Sequence, residues 1–149
     1  MIDPDLAAEV ESCSDLYLRE LCQPKDNSII VILDEAIESA PTSHTEGSIT
    51  FRNVRHIEVT RNSRSFELTW SYYVAYSVGN ESFMLPSEGE EIASGRLLRV
   101  YRRSHFLDYL AKTTWGDADW HGPVIHIGVI CLNHIVDVAS TELPKIRLL

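Results

Sequence analysis

The spacing of apolar residues changes period several times along the chain, and each change predicts an element. Asp3-Pro4 is a helix opening, with an N-cap side chain followed by proline at the first helical position. Leu6, Val10, Cys13, Tyr17 and Leu21 then recur at steps of three and four, which predicts one helix over residues 4–21, stopped before Pro24. Residues 28–38 begin Ser-Ile-Ile-Val-Ile-Leu, a β-branched run that predicts a strand. A loop is expected over 40–47, then short strands at 48–51 and 54–59. From Ser65 to Val78 the chain alternates cleanly: Leu68, Trp70, Tyr72, Val74, Tyr76 and Val78 fall on one face of a single strand. Extended chain follows through Leu85, then an acidic loop over 86–91 and a strand at 97–101. Ser104 caps a second helix that carries Phe106, Leu107, Leu110 and Ala111 inward and ends near Lys112. Residues 124–139 form one long aliphatic strand.

Successive strands joined by short turns, with the helices grouped apart from them, predict an α+β fold in one domain. The expected architecture is a curved antiparallel sheet with the N-terminal helix and the shorter second helix packed on one face. At 149 residues and 44% hydrophobic content, one core is large enough to fold without metals or disulfides. Cys13, Cys22 and Cys131 are an odd count without framework spacing. On the expected helix, Cys13 and Cys22 would also stand about 13 Å apart, too far to share a zinc ion. They read as small apolar packing groups. No run of roughly 18 apolar residues offers a membrane span. The start, Met1-Ile-Asp-Pro-Asp, lacks the basic and apolar regions of a secretory signal. Cytoplasmic residence is the expectation.

The formal charge of −9 argues against nucleic acid and anionic membranes, which are held by positive surface, and favours a basic protein partner. The long final strand could also leave an edge for a second copy, which would make a homodimer.

The candidate chemistry lies in three places. In the final strand, an extended backbone puts His126 and His134 about 26 Å apart at roughly 3.3 Å per residue, so no single ion joins them. His134 and Asp137 then face opposite sides. A site assembled across elements from His56, His121, His134 and Asp137 is the enzymatic alternative, a small hydrolase or metal-dependent enzyme. Arg96, Arg99, Arg102 and Arg103 form a basic cluster before the second helix, a candidate anion site or a set of ion pairs to Glu88, Glu90 and Glu91. Trp115, Asp117, Asp119, Trp120 and His121 form an acidic aromatic loop, which reads as a recognition surface for a basic partner or as a cap on the sheet edge. The chain contains no G-x-S-x-G, phosphate-loop, G-x-G-x-x-G, C-x-x-C or H-E-x-x-H motif. The reading that follows is a non-catalytic protein-binding domain with no cofactor and no metal, of the kind that neutralises a basic toxin.

Two stretches add a resemblance. Tyr73-Val-Ala-Tyr-Ser-Val-Gly-Asn-Glu-Ser-Phe83, and Ser104-His-Phe-Leu-Asp-Tyr109 with Cys131-Leu-Asn-His-Ile-Val-Asp-Val138, resemble a group of small uncharacterised bacterial proteins. The likeness spans roughly residues 51–146 and implies a bacterial cytosolic protein. It carries no catalytic residue with it.

Overall fold

The structure, a computed structural model, describes residues 3–85, 88–115 and 122–149. The described residues are α+β, with two α-helices and antiparallel strands. The order is α1 (Pro4–Ser12), β1 (Asp15–Cys22), β2 (Ile29–Glu38), β3 (Thr42–Glu46), β4 (Ile49–Val54), β5 (Ile57–Glu58), β6 (Ser65–Trp70) and β7 (Ala75–Asn80). A 3-10 turn follows at Glu81–Phe83, then β8 (Glu91–Ser94), β9 (Leu98–Arg103), α2 (His105–Thr113), β10 (Ile125–Ile130), β11 (His134–Ser140) and β12 (Lys145–Leu148).

The strands divide between two sheets. One runs β1-β2-β6-β12, with β5 added to β2; the other runs β7-β11-β10-β9-β8. Leu16, Val31, Leu33, Phe66, Leu68 and Trp70 from the first sheet form one buried cluster with Leu98, Ile127, Val129, Val136 and Val138 from the second. Val10 and Cys13 of α1 belong to that cluster, so α1 closes the space between the sheets. α2 lies elsewhere: Phe106 meets His126, whose side chain is on the opposite side of β10 from Ile127 and Val129.

Three expected elements are interrupted. The helix expected over 4–21 ends at Ser12, where the Ser12 hydroxyl turns back to the Glu9 carbonyl at 2.6 Å and Cys13 is extended at ψ 145°. Residues 15–22 then pair with β2, which buries Leu16 completely. The helical spacing of Cys13 and Cys22 therefore does not apply. The run 65–78 breaks after Trp70, because the Glu142 carboxylate accepts from Ser71 N (2.7 Å) and Tyr72 N (3.2 Å), and the chain crosses to the second sheet. Its apolar face accordingly divides, with Trp70 fully buried and Val78 43% exposed. The final run folds into the β10–β11 hairpin, with Gly128 opposite Asp137. Both strands lie inside their sheet, between β9 and β7, so the edge expected to invite a second copy is not there. The expected loop at 40–47 also contributes β3, which pairs with β4 in a separate two-stranded ribbon.

Charged side chains hold α1 to the first sheet. Arg64 forks onto Glu35 through Nε (2.9 Å) and Nη2 (2.7 Å) and reaches Ser12 Oγ at 3.1 Å through Nη1. The hydrogen bonding from Arg64 holds the Glu35 carboxyl down at about 2 against the ordinary 4.5, with burial opposing it. A carboxyl lowered on folding stabilises the native state fully above its ordinary value and loses that contribution as pH falls through its native one. Wild-type stability should therefore decline as pH falls from 4.5 to about 2. Glu35→Gln should be less stable at neutral pH by about 1–3 kcal/mol and decline less over the same window. Urea midpoints at a series of pH values check this; parallel curves would contradict it.

Candidate functional site

The β10–β11 hairpin brings together residues that an unbroken strand would keep apart. His126 and Ala139 are register partners, as are Gly128 and Asp137, so His126 lies diagonal to Asp137 across the ladder. His126 Nε2 is 2.8 Å from Asp137 Oδ1, and His126 Nδ1 is 2.8 Å from Ser104 Oγ. The expectation that an extended backbone disperses these groups is thus overturned for His126 and Asp137. A turn at residues 131–133 reverses the chain, and its Asn133 side chain is fixed by Leu18, accepting from the N–H at 2.9 Å and donating to the carbonyl at 3.0 Å. The signal available in the sequence was length, since sixteen residues far exceed an ordinary strand of about five or six.

Serine, histidine and aspartate in series invite comparison with a hydrolytic triad, but the accessibility is reversed. In a triad the hydroxyl faces substrate and the carboxylate is buried behind the imidazole. Here Ser104 is 1% exposed, and its Oγ also accepts from Leu107 N at 3.1 Å as the N-cap of α2. Asp137 is the solvent-facing member, with 28% of its side chain exposed. Ser104 donating to Nδ1 and Nε2–H donating to Asp137 gives each ring nitrogen a partner. The series therefore positions the Asp137 carboxylate and joins α2 to the sheet. The Tyr101 ring stacks on His126 at 4.3 Å between centroids. Burial pushes the Tyr101 hydroxyl up, with Arg99 opposing.

A cavity of about 150 Å³ opens beside Asp137, lined also by Glu90, Arg99, Tyr101, Phe106 and His126. It shares Met84, Leu85, Arg99, Ile130 and Ile135 with a neighbouring cleft of about 460 Å³.

The four arginines go to different places. Arg96 is turned toward α1, donating to the Ser14 carbonyl at 3.0 Å and to the carbonyl of Cys13. Its own backbone belongs to a reciprocal contact, in which the Glu11 carboxylate accepts from the N–H groups of Arg96 (3.0 Å), Leu97 (3.0 Å) and Leu98 (2.7 Å). Arg102 pairs with Glu91, Arg103 is exposed, and Arg99 lines the cavity. They form no common anion site.

Asp117, Asp119, Trp120 and His121 lie outside the described residues. Trp115 is 90% exposed, so it caps no sheet edge. His56 is exposed just before β5, its N–H on Ser39 Oγ at 2.9 Å. His134 starts β11 opposite Asn80. Among the described residues, no three His, Cys, Asp or Glu side chains are placed to hold a metal ion. Cys131 is 3% exposed and burial pushes its thiol up to about 12. Burial, and then Glu35, push that of Cys13 up to about 11. Neither is a thiolate at neutral pH.

No protein-family model, curated protein or solved structure matches the chain.

Two outcomes follow. An aromatic disulfide reagent at pH 8 should label only Cys22 rapidly in the native protein and all three thiols in denaturant; prompt native labelling of Cys131 would contradict its placement. Glu11→Ala strands the N–H groups of residues 96–98 and should destabilise the fold by about 2–3 kcal/mol, read from urea unfolding.

Proposed function

We propose that this protein is a non-catalytic protein-binding domain that holds a basic partner, in the manner of an immunity-type protein covering a toxin. The supporting observation is the β3–β4 ribbon. Every residue from 40 to 53 is exposed, and the ribbon pairs with neither main sheet. A lone two-stranded ribbon is marginal in water, and this one also presents apolar side chains. Ile49 is 60% and Phe51 is 49% exposed, two residues apart on one side of β4. Ile57 and Val59, just past the ribbon's base, are 42% and 46% exposed. Such a surface costs solubility unless something covers it.

The charge of −9 selects a basic partner and speeds its encounter. The exposed Trp115, next in sequence to Asp117, Asp119 and Trp120, adds a second anchor of the kind enriched at binding hot spots. A cytoplasmic bacterial setting, suggested by the resemblance, suits this role. A hydrolytic reading has less support, because Ser104 is buried and burial keeps the Cys13 and Cys131 thiols protonated.

The test is affinity capture from the native host with wild type and with Ile49→Ser/Phe51→Ser. Wild type should recover a stoichiometric basic protein, and the double variant, with unchanged unfolding midpoint, should bind that protein at least roughly tenfold more weakly. Equal binding by the variant would remove the ribbon from the interface. Recovery of no partner would overturn the proposal.

A further inference from the structure

One position of the strand behind Tyr101 and Asp137 carries no side chain. Gly128 stands in the middle of β10, paired with Arg99 on β9 and with Asp137 on β11. A Cβ at Gly128 would come within 2.9 Å of Tyr101 Cε2 and 3.4 Å of Asp137 Oδ1. Glycine alone therefore lets the Tyr101 ring settle against His126 while the carboxylate stays beside it. Glycine within a strand costs about 0.5–1 kcal/mol relative to alanine, and in that position it often marks a close approach by another group.

A cation and an anion line the same cavity without pairing with each other. Arg99 and Asp137 are two strands apart, about 10 Å between backbones. Arg99 Nε donates to the Arg96 carbonyl at 3.2 Å, and Asp137 Oδ1 takes up His126. The second oxygen of Asp137 has no hydrogen-bond partner among the described residues, and Asp137 is part of the cavity lining. Glu90, the remaining charged group in the lining, accepts from His105 N at 3.1 Å through Oε1. About 150 Å³ corresponds to roughly five water volumes, the size of the ammonium, α-carbon and carboxylate of an amino acid. The adjoining cleft of about 460 Å³ begins at the apolar wall of Ile130, Ile135, Met84 and Leu85, with Asp15, Glu81 and Arg96 also in its lining.

The geometry points to a binding site for a free apolar α-amino acid. Its carboxylate lies on Arg99, its ammonium on Asp137, and its side chain along Ile130 and Ile135 into the larger cleft. His126, held between Ser104 and Asp137, is a positioning residue that fixes the carboxylate for the ammonium. This site is separate from the protein-binding ribbon and needs no partner.

Calorimetry on the purified full chain tests it directly, using leucine, methionine and phenylalanine, with 3-methylbutylamine and 4-methylpentanoate as leucine lacking one charge. At least one amino acid should bind, and each single-charge analogue of leucine should bind roughly tenfold more weakly or worse. Arg99→Met should bind leucine no better than wild type binds the amine. Asp137→Asn should bind leucine no better than wild type binds the acid. If Asp137→Asn unfolds, the partly exposed Arg99→Met still decides. Absence of heat with all three amino acids, or analogues binding as tightly as leucine, would overturn the inference. Because no partner protein enters the assay, its failure leaves the partner-capture result untouched.

Discussion

The C-terminal end of α1 is where the two sheets are held in one arrangement. Its last carbonyls form the negative pole of the helix dipole, and a guanidinium from each sheet meets them. Arg64, one residue before β6, bonds the Glu9 carbonyl at 3.4 Å, and Arg96, between β8 and β9, reaches the Glu11 carbonyl at 3.5 Å and takes those of Cys13 and Ser14 just past the helix. Glu11 completes the arrangement by filling the concavity of N–H groups at residues 96–98. Hydrophobic burial is non-directional and would tolerate some sliding of one sheet over the other. These bonds are directional, and those to the Glu9 and Cys13 carbonyls and from Leu97 and Leu98 are part-buried, so they help set the angle at which the sheets meet. The positions of β9 and β10, and with them Arg99, Gly128 and His126, follow from that angle.

The parts of the fold legible in the sequence were those decided by local chemistry. Asp3 and Ser104 cap the two helices as their residue types predict, and the β-branched run after Ser28 is the buried strand β2. What was not legible were breaks imposed from far away in the chain. Nothing near Trp70 announces the corner that follows; Glu142, more than seventy residues later, makes it by capturing two N–H groups. The reversal at 131–133 depends in the same way on Leu18, 115 residues distant from Asn133. Cys13 shows the opposite failure. Helical spacing continued past it, while the Ser12 hydroxyl and the demand of β2 for a partner ended the helix.

The same logic applies to the site. Ser104 was recognised as a cap, and His126 and Asp137 were noted as reactive types, but only the hairpin register connects them. The residue that lets Tyr101 and Asp137 come so close to β10, Gly128, carries no functional group at all. A search confined to chemistry-bearing side chains passes over it. The arginine cluster misleads for the converse reason, since adjacency in sequence along a strand sends alternate guanidinium groups to opposite faces.

The contact between Glu11 and the backbone of residues 96–98 also orders events during synthesis. The helix leaves the ribosome first, but the amides that receive its carboxylate emerge some eighty-five residues later. At about 5–20 residues per second, α1 waits several seconds before its place exists. A nine-residue helix is too short to persist alone in water over that interval. The nascent N-terminus therefore stays largely unstructured until the second sheet arrives, and α1 forms as the sheets close.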